Sequence, residues 1–156
     1  MSFKSLHQSG NPLILFNIWD AGSAAAIPGA GAVALATGSA SVAGALGYRD
    51  GQDIPFDAVL DTDRSASDLP LSVDFEAGYA ETTAGVADNA VRLEALGVGI
   101  NLEDGIPPAA GVRSAPEHAD RIAAIWARTE LFINARTDLF LQNPAETACR
   151  IAGRGT

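Results

Sequence analysis

The sequence predicts an α/β fold built from about five β-α units of parallel strands. Five apolar runs of strand length alternate with Ala-rich segments of helical character. Three of the five runs follow a Gly or Pro stop signal. Such alternation implies parallel strands joined by right-handed crossovers. At 156 residues the chain has the size of one domain. Periodicity alone fits a doubly wound sheet and part of a barrel equally; a complete (β/α) barrel takes ~250 residues and at least ~200.

The first run is Pro12–Asp20, and Gly22 to Ala26 read as the start of a helix. The second run is Ala32–Ser39, and Phe56–Ser67 reads as a short helix. The third is Leu69–Gly78, with Pro70 at the strand start, where a strand tolerates proline. On Thr82–Leu96, Val86, Ala90, Leu93 and Leu96 form one apolar stripe, and Gly97 follows as a C-terminal stop. The fourth run is Val98–Gly105, followed by a Pro107–Gly111 loop. Ser114–Ala115–Pro116–Glu117 fits a capping box opening a helix to about Ala127. On that helix His118, Ile122, Ile125 and Trp126 share a face. The fifth run is Glu130–Asp138, and Pro144–Ala152 begins a last helix.

Composition removes several classes of function. Hydrophobic residues make up 47% and charged residues 19%, the balance of a packed protein. Ten Lys+Arg against 19 Asp+Glu give a formal charge of -9. Such a chain repels phosphate backbones and anionic lipid surfaces, so neither nucleic acid nor membrane is an expected partner. Lys4 is the sole lysine and precedes the first apolar run, which argues against a Schiff-base mechanism. One cysteine, Cys149, permits no internal disulfide and no multi-cysteine zinc site. No stretch approaches ~20 apolar residues and no signal-peptide layout is present, so a cytoplasmic protein is expected.

Polar residues gather where the apolar runs end. Side chains two apart on a strand share a face. That pairs Thr37 with Ser39, Asp74 with Glu76, Asn101 with Glu103, and groups Asn134 with Arg136 and Asp138. Parallel α/β folds bind ligands at this end. Asp74, Glu76, Glu103 and Asp104 make an all-oxygen set, which selects Mg²⁺ or Mn²⁺ over zinc. Capping of the following helices is the alternative for any one of them. Trp19 stands at the end of the first run, where pocket lining and core packing are equally open. His7 reads as a surface residue, and His118 as a packing or capping residue remote from the strand ends.

The same residues carry a likeness. Asn17–Ser23, Ala36–Ser39, Leu46–Gly51, Ser72–Tyr79, Gly99–Gly105 and Ile133–Leu139 occur in the order and spacing of one family. From about Phe3 to Ala148 the chain resembles the isocitrate lyase/phosphoenolpyruvate mutase superfamily. The likeness implies a (β/α)8 TIM barrel, Mg²⁺-dependent chemistry on C–C or C–P bonds of small anionic 2-oxo or hydroxy acids, and a homo-oligomer. It implies Asp74 as a direct metal ligand, with Glu76 and Glu103 completing the metal site. Asp50 and Arg136 take catalytic places. The substrate would meet the backbone N–H groups of Gly38 and Ser39, with Thr37, Trp19 and Asn134 nearby. Metal and arginine would together stabilise an enolate.

Three departures from the family pattern shape the expectation. Lyases of the isocitrate type carry a Lys-Lys/Arg-Cys-Gly-His motif in the loop after the fourth strand. Here Ile106–Arg113 reads IPPAAGVR, which points to the branch lacking that motif. The Gln52–Leu69 stretch is about one helical turn short, at ~3.6 residues per turn. The sequence also ends after the fifth unit, so a single C-terminally truncated barrel domain over residues 1–156 is expected. An inactive remnant that keeps the metal-binding surface, or an oligomerising shell, is therefore the second functional expectation.

Overall fold

The computed structural model describes residues 3–64, 69–96 and 99–142. A 3-10 turn at Phe3–Leu6 leads into five β-α units. The strands are β1 (Phe16–Ile18), β2 (Leu35–Thr37), β3 (Leu71–Asp74), β4 (Gly99–Glu103) and β5 (Phe132–Arg136). The helices are α1 (Ala21–Gly29), α2 (Ser39–Ala45), α3 (Phe56–Arg64), α4 (Thr83–Glu94), α5 (Ala115–Trp126) and α6 (Leu139–Gln142). All strands are parallel, in the order β1-β2-β3-β4-β5. A doubly wound sheet reverses its strand order at a switch point, whereas a barrel adds each strand beside the last. The order therefore settles what periodicity left open, in favour of the barrel.

Each strand is shorter than the apolar run containing it, because the run's polar end leaves the ladder to start a loop or cap. Asp20 is the N-cap of α1, with Ser23 completing a reciprocal capping box. Thr82 caps α4 through the Gly85 N–H, and the predicted Ser114–Glu117 box opens α5. Helix α2 has no counterpart among the elements read from sequence; its N-cap is Gly38, without a side-chain capping bond. The proposed helix Pro144–Ala152 and Cys149 lie outside the described residues.

One sheet face packs under the helices. Ile18, Leu35, Leu71, Val73, Ile100 and Leu102 meet Val86, Leu93 and Ile125 there, all buried. The stripe on α4 is confirmed by Val86, Ala90 and Leu93. On α5 the expected face is corrected: Ile125 is buried, but Trp126 is 66% exposed. A step of one residue turns a helical side chain about 100°, which carries Trp126 out of the stripe. The opposite sheet face carries Asn17, Ser72, Asp74, Asn101, Glu103, Asn134 and Arg136. Register sets Asp74 beside Asn101 and Asn101 beside Asn134, with Glu103 beside Arg136.

Candidate active site

Backbone and side-chain bonds fix Asp74 first. Its N–H donates to the buried Thr37 hydroxyl at 2.9 Å. Its carboxylate accepts from the Ser39 N–H at 3.1 Å and from the Asn101 amide at 3.4 Å. Asn134 donates to Asn101 at 2.8 Å, extending the chain of amides across β4 and β5. Gly38 allows this approach, since a Cβ there would stand 3.0 Å from both the Asn17 amide and the Ser41 hydroxyl. Thr37 thus holds the backbone of the site, and Ser39 presents its N–H inward.

Arg136 is the positive centre. Its guanidinium donates to Glu103, and to Asp138 at 2.8 and 3.2 Å, with Asp74 3.9 Å away. The Glu103 and Asp138 side chains are nearly buried and that of Arg136 is about one-third exposed. Asp104 lies one layer behind, accepting from the Thr137 hydroxyl at 2.6 Å and the Asp138 N–H at 2.8 Å. This locks the turn that carries Asp138.

Glu76 sits differently from its sequence reading. It is past the end of β3, in the left-handed region at φ 46°, and only 2% exposed. The expected strand face shared with Asp74 is therefore a turn contact, because the chain leaves the ladder after Asp74. The Tyr79 hydroxyl donates to Glu76 at 2.5 Å. Burial pushes the Glu76 carboxyl above its ordinary range; the Tyr79 bond opposes this, and the charges of Asp50 and Asp74 add to it. Burial, then Glu76, hold the Tyr79 phenol far above its usual range. Gln52 ties the Asp50 loop to this turn. With its amide oriented so that the oxygen meets donors, it accepts from the N–H groups of Ala77, Gly78 and Tyr79 at 2.9, 3.3 and 3.1 Å. Arg121, buried on α5, donates to the carbonyls of Ala77, Ala80 and Glu81 and fixes the same turn from behind.

Asp50 is exposed and lines a cavity of about 390 Å³ together with Glu103 and Asp138. Trp19 is 44% exposed, which corrects the core alternative; its backbone N–H donates to Ser23. His118 is packed, as expected, but is not remote from the strand ends. The chain after β4 folds back, with an antiparallel bridge from Gly105 to Val112, and brings α5 beside the strand ends. His118 and Asp104 consequently line one cavity, and both ring nitrogens of His118 are buried without a hydrogen-bond partner. Burial lowers its pKa, against the Asp104 charge that favours the proton.

Tyr79 and Gln52 are the contacts that sequence reasoning did not assign to the site. Asp104, expected in the oxygen set, instead accepts from Thr137 and Asp138 and braces the turn behind it. Tyr79 and Gln52 act through a turn whose shape no residue spacing announces.

A family model for phosphoenolpyruvate phosphomutase matches residues 3–155. The chain belongs to the phosphoenolpyruvate phosphomutase family. An uncharacterized protein of Mycobacterium tuberculosis is 35% identical over 160 residues, covering 97% of this chain and 58% of the relative. A Burkholderia cenocepacia protein classed as a phosphonomutase has a solved structure that is 47% identical with TM-score 0.84; the match covers 90% of this chain and 61% of that one. Oxaloacetate acetylhydrolase, solved with its product oxalate, is 25% identical with TM-score 0.74, over 91% of this chain and 54% of that one. The chain thus spans less than two-thirds of the length of these relatives. The family places the five units in the phosphoenolpyruvate mutase/isocitrate lyase superfamily, as the sequence motifs implied.

This superfamily is generally divalent-metal dependent. The donors present here suit a hard cation, being carboxylate oxygens with no thiolate or imidazole among them. They also have unmet charge: Asp50, Asp74, Glu76, Glu103 and Asp138 outnumber Arg136, and the raised Glu76 pKa registers part of that excess. Among the described residues no group of three His, Cys, Asp or Glu side chains is placed to hold a metal ion. Mg²⁺ is usually held by one or two carboxylates plus water and substrate.

Proposed function

We propose that the protein is a Mg²⁺- or Mn²⁺-dependent lyase- or mutase-type enzyme that breaks or rearranges a C–C or C–P bond in a small anionic 2-oxo or hydroxy acid. The convergence of Asp74, Glu103 and Asp138 on the Arg136 guanidinium, at the strand ends of this family fold, is the observation that supports it. Asp74 would hold the metal, with Glu76 and Glu103 completing the oxygen donor set, and the ion would polarise the substrate's oxo group as a Lewis acid.

The remaining work falls to the chain. Arg136 binds the substrate's anionic end and stabilises the charge left on carbon and oxygen as the bond breaks. Fixed between Glu103 and Asp138, its guanidinium needs little reorganisation during the reaction. The Gly38–Ser39 turn directs a backbone N–H at the site, and Asn101 with Asn134 holds Asp74 in orientation. Asp50 reaches the same cavity from an exposed loop and is placed to exchange a proton with substrate. Thr37 acts on Asp74 alone.

The test is turnover of a panel of 2-oxo and 2-hydroxy acids followed by NMR with Mg²⁺. Asp74→Ala should abolish turnover, and Arg136→Gln should lower it ~10²–10³-fold, the usual cost of removing a charge-stabilising donor. Undiminished turnover in EDTA or in Asp74→Ala would contradict the reading.

A further inference from the structure

The loop that carries Asp50 runs from the C-cap of α2, Leu46, to Ile54, which is buried in the core. The Arg49–Asp53 ion pair inside the loop is largely exposed and adds little order. Gly51 and Gln52 both stand in the left-handed region, at φ 94° and 64°. A residue other than glycine keeps that conformation where surrounding contacts over-determine it. For Gln52 those contacts lie at the turn after β3.

That turn is gripped by its carbonyls. Arg121 donates to those of Ala77, Ala80 and Glu81, and the Asn89 amide donates to those of Gly78 and Tyr79 at 3.1 and 3.0 Å. The N–H groups of Ala77, Gly78 and Tyr79 converge on one point, a concavity of the kind that successive backbone donors make for anions. Gln52 fills it. With its amide oriented to give these donors an oxygen, it accepts all three bonds, at 2.9, 3.3 and 3.1 Å, and the Gly78 N–H is shared with the Phe75 carbonyl. A neutral amide satisfies the donors without bringing another carboxylate beside Asp50, Asp74 and Glu76. From this position the Asp50 charge reaches Glu76, adding to burial in raising its pKa.

We propose that Gln52 is a positioning residue: by capping the three N–H groups of the turn after β3, it holds the loop carrying Asp50 against the carboxylates at the strand ends. The inference rests on the proposed function, in which Asp50 exchanges a proton with substrate, and adds the residue that aims it. A general acid or base works only within hydrogen-bond reach of the atom it serves, and a misplacement of ~1 Å can cost about 10²-fold in rate. The Gln52 amide is engaged with the turn, so it acts through Asp50. Its loss should therefore change turnover only while Asp50 is present.

Gln52→Leu removes the acceptor and keeps the size of the side chain; Gln52→Asn is a milder change that withdraws the amide by one methylene. By NMR, the Ala77 and Tyr79 amides should exchange about tenfold faster or more in Gln52→Leu, and by a smaller factor in Gln52→Asn. The heteronuclear NOE of residues 49–53 should fall in the same order, while the Asn101 and Asn134 amides keep their protection. On a 2-oxo or 2-hydroxy acid that the protein turns over, Gln52→Leu should lower kcat about tenfold to a hundredfold and leave KM within about threefold. In an Asp50→Ala background it should lower kcat no further. An unchanged Asp50 loop in Gln52→Leu, or an equal loss of kcat with and without Asp50, overturns the inference and leaves the proposed function standing. A loop released in Gln52→Leu, in a protein that turns over no such acid, leaves the positioning contact standing and overturns the proposed function.

Discussion

Glu76 shows what the site costs the fold. Its carboxyl is buried, turned into a left-handed backbone and raised in pKa by burial first. A carboxyl raised in the folded state favours its proton there. Below the ordinary glutamate range both states are protonated and nothing is lost; as pH rises through that range and beyond, the folded state loses stability. Glu76→Gln keeps an oxygen for the Tyr79 hydroxyl and removes the charge. It should stabilise the protein at pH 7 by on the order of 1 kcal/mol, with the gain vanishing below about pH 4. Urea denaturation across pH measures it; a loss of stability at pH 7 would show that the charge is compensated. At this scale the sequence was informative about which residues and silent about how they meet. Asp74, Glu103 and Arg136 were readable because strand parity puts them on one face at the end of an apolar run. That Arg136 would gather Glu103 and Asp138 depends on strand register, and Tyr79 reaches Glu76 only through the positive φ at both residues.

Helices and turns follow local rules wherever those rules are written in adjacent residues. The box at Ser114 and Glu117 forms as its spacing demands, with the Glu117 N–H on the Ser114 hydroxyl and the Ser114 N–H on the Glu117 carboxylate. Helix α2 had no such signature, since its N-cap is a glycine without a side-chain bond. The turn after β3 is built on a close approach. Gly78 has φ 96°, and a Cβ there would lie 2.6 Å from Val86, itself a fully buried residue of α4. Gly78→Ala should therefore destabilise the protein by about 2 kcal/mol or more, combining left-handed strain with overpacking. It should also loosen Glu76, because Gln52 and Arg121 grip this same turn. An unchanged denaturation midpoint would mean that the turn relaxes freely. The loop after β4 belongs here too: its apolar sequence was readable, but its closure, which brings His118 beside Asp104, was not.

Across the whole molecule, hydrophobic side chains concentrate between the sheet and its helices, and polar ones on the other sheet face and at the strand ends. Alternating apolar runs sufficed to predict five parallel β-α units, and the strand order decided between barrel and doubly wound sheet. Among the described residues no helix is long and apolar enough to cross a membrane. Part of the negative charge has acquired a location, since Asp74, Glu103 and Asp138 gather around Arg136. A divalent cation that binds there only in the folded state should raise thermal stability, by about 2.7 kcal/mol at a hundredfold excess over its dissociation constant. Differential scanning calorimetry with and without 10 mM Mg²⁺ would register that as a higher Tm, and the shift should disappear in Asp74→Ala. The most direct measurement of the central claim is calorimetric titration of oxalate into the protein with Mg²⁺ and again in EDTA. Oxalate should bind with Mg²⁺ and be lost in EDTA and in Asp74→Ala; equal binding in all three would contradict a metal-dependent oxo-acid site at these strand ends.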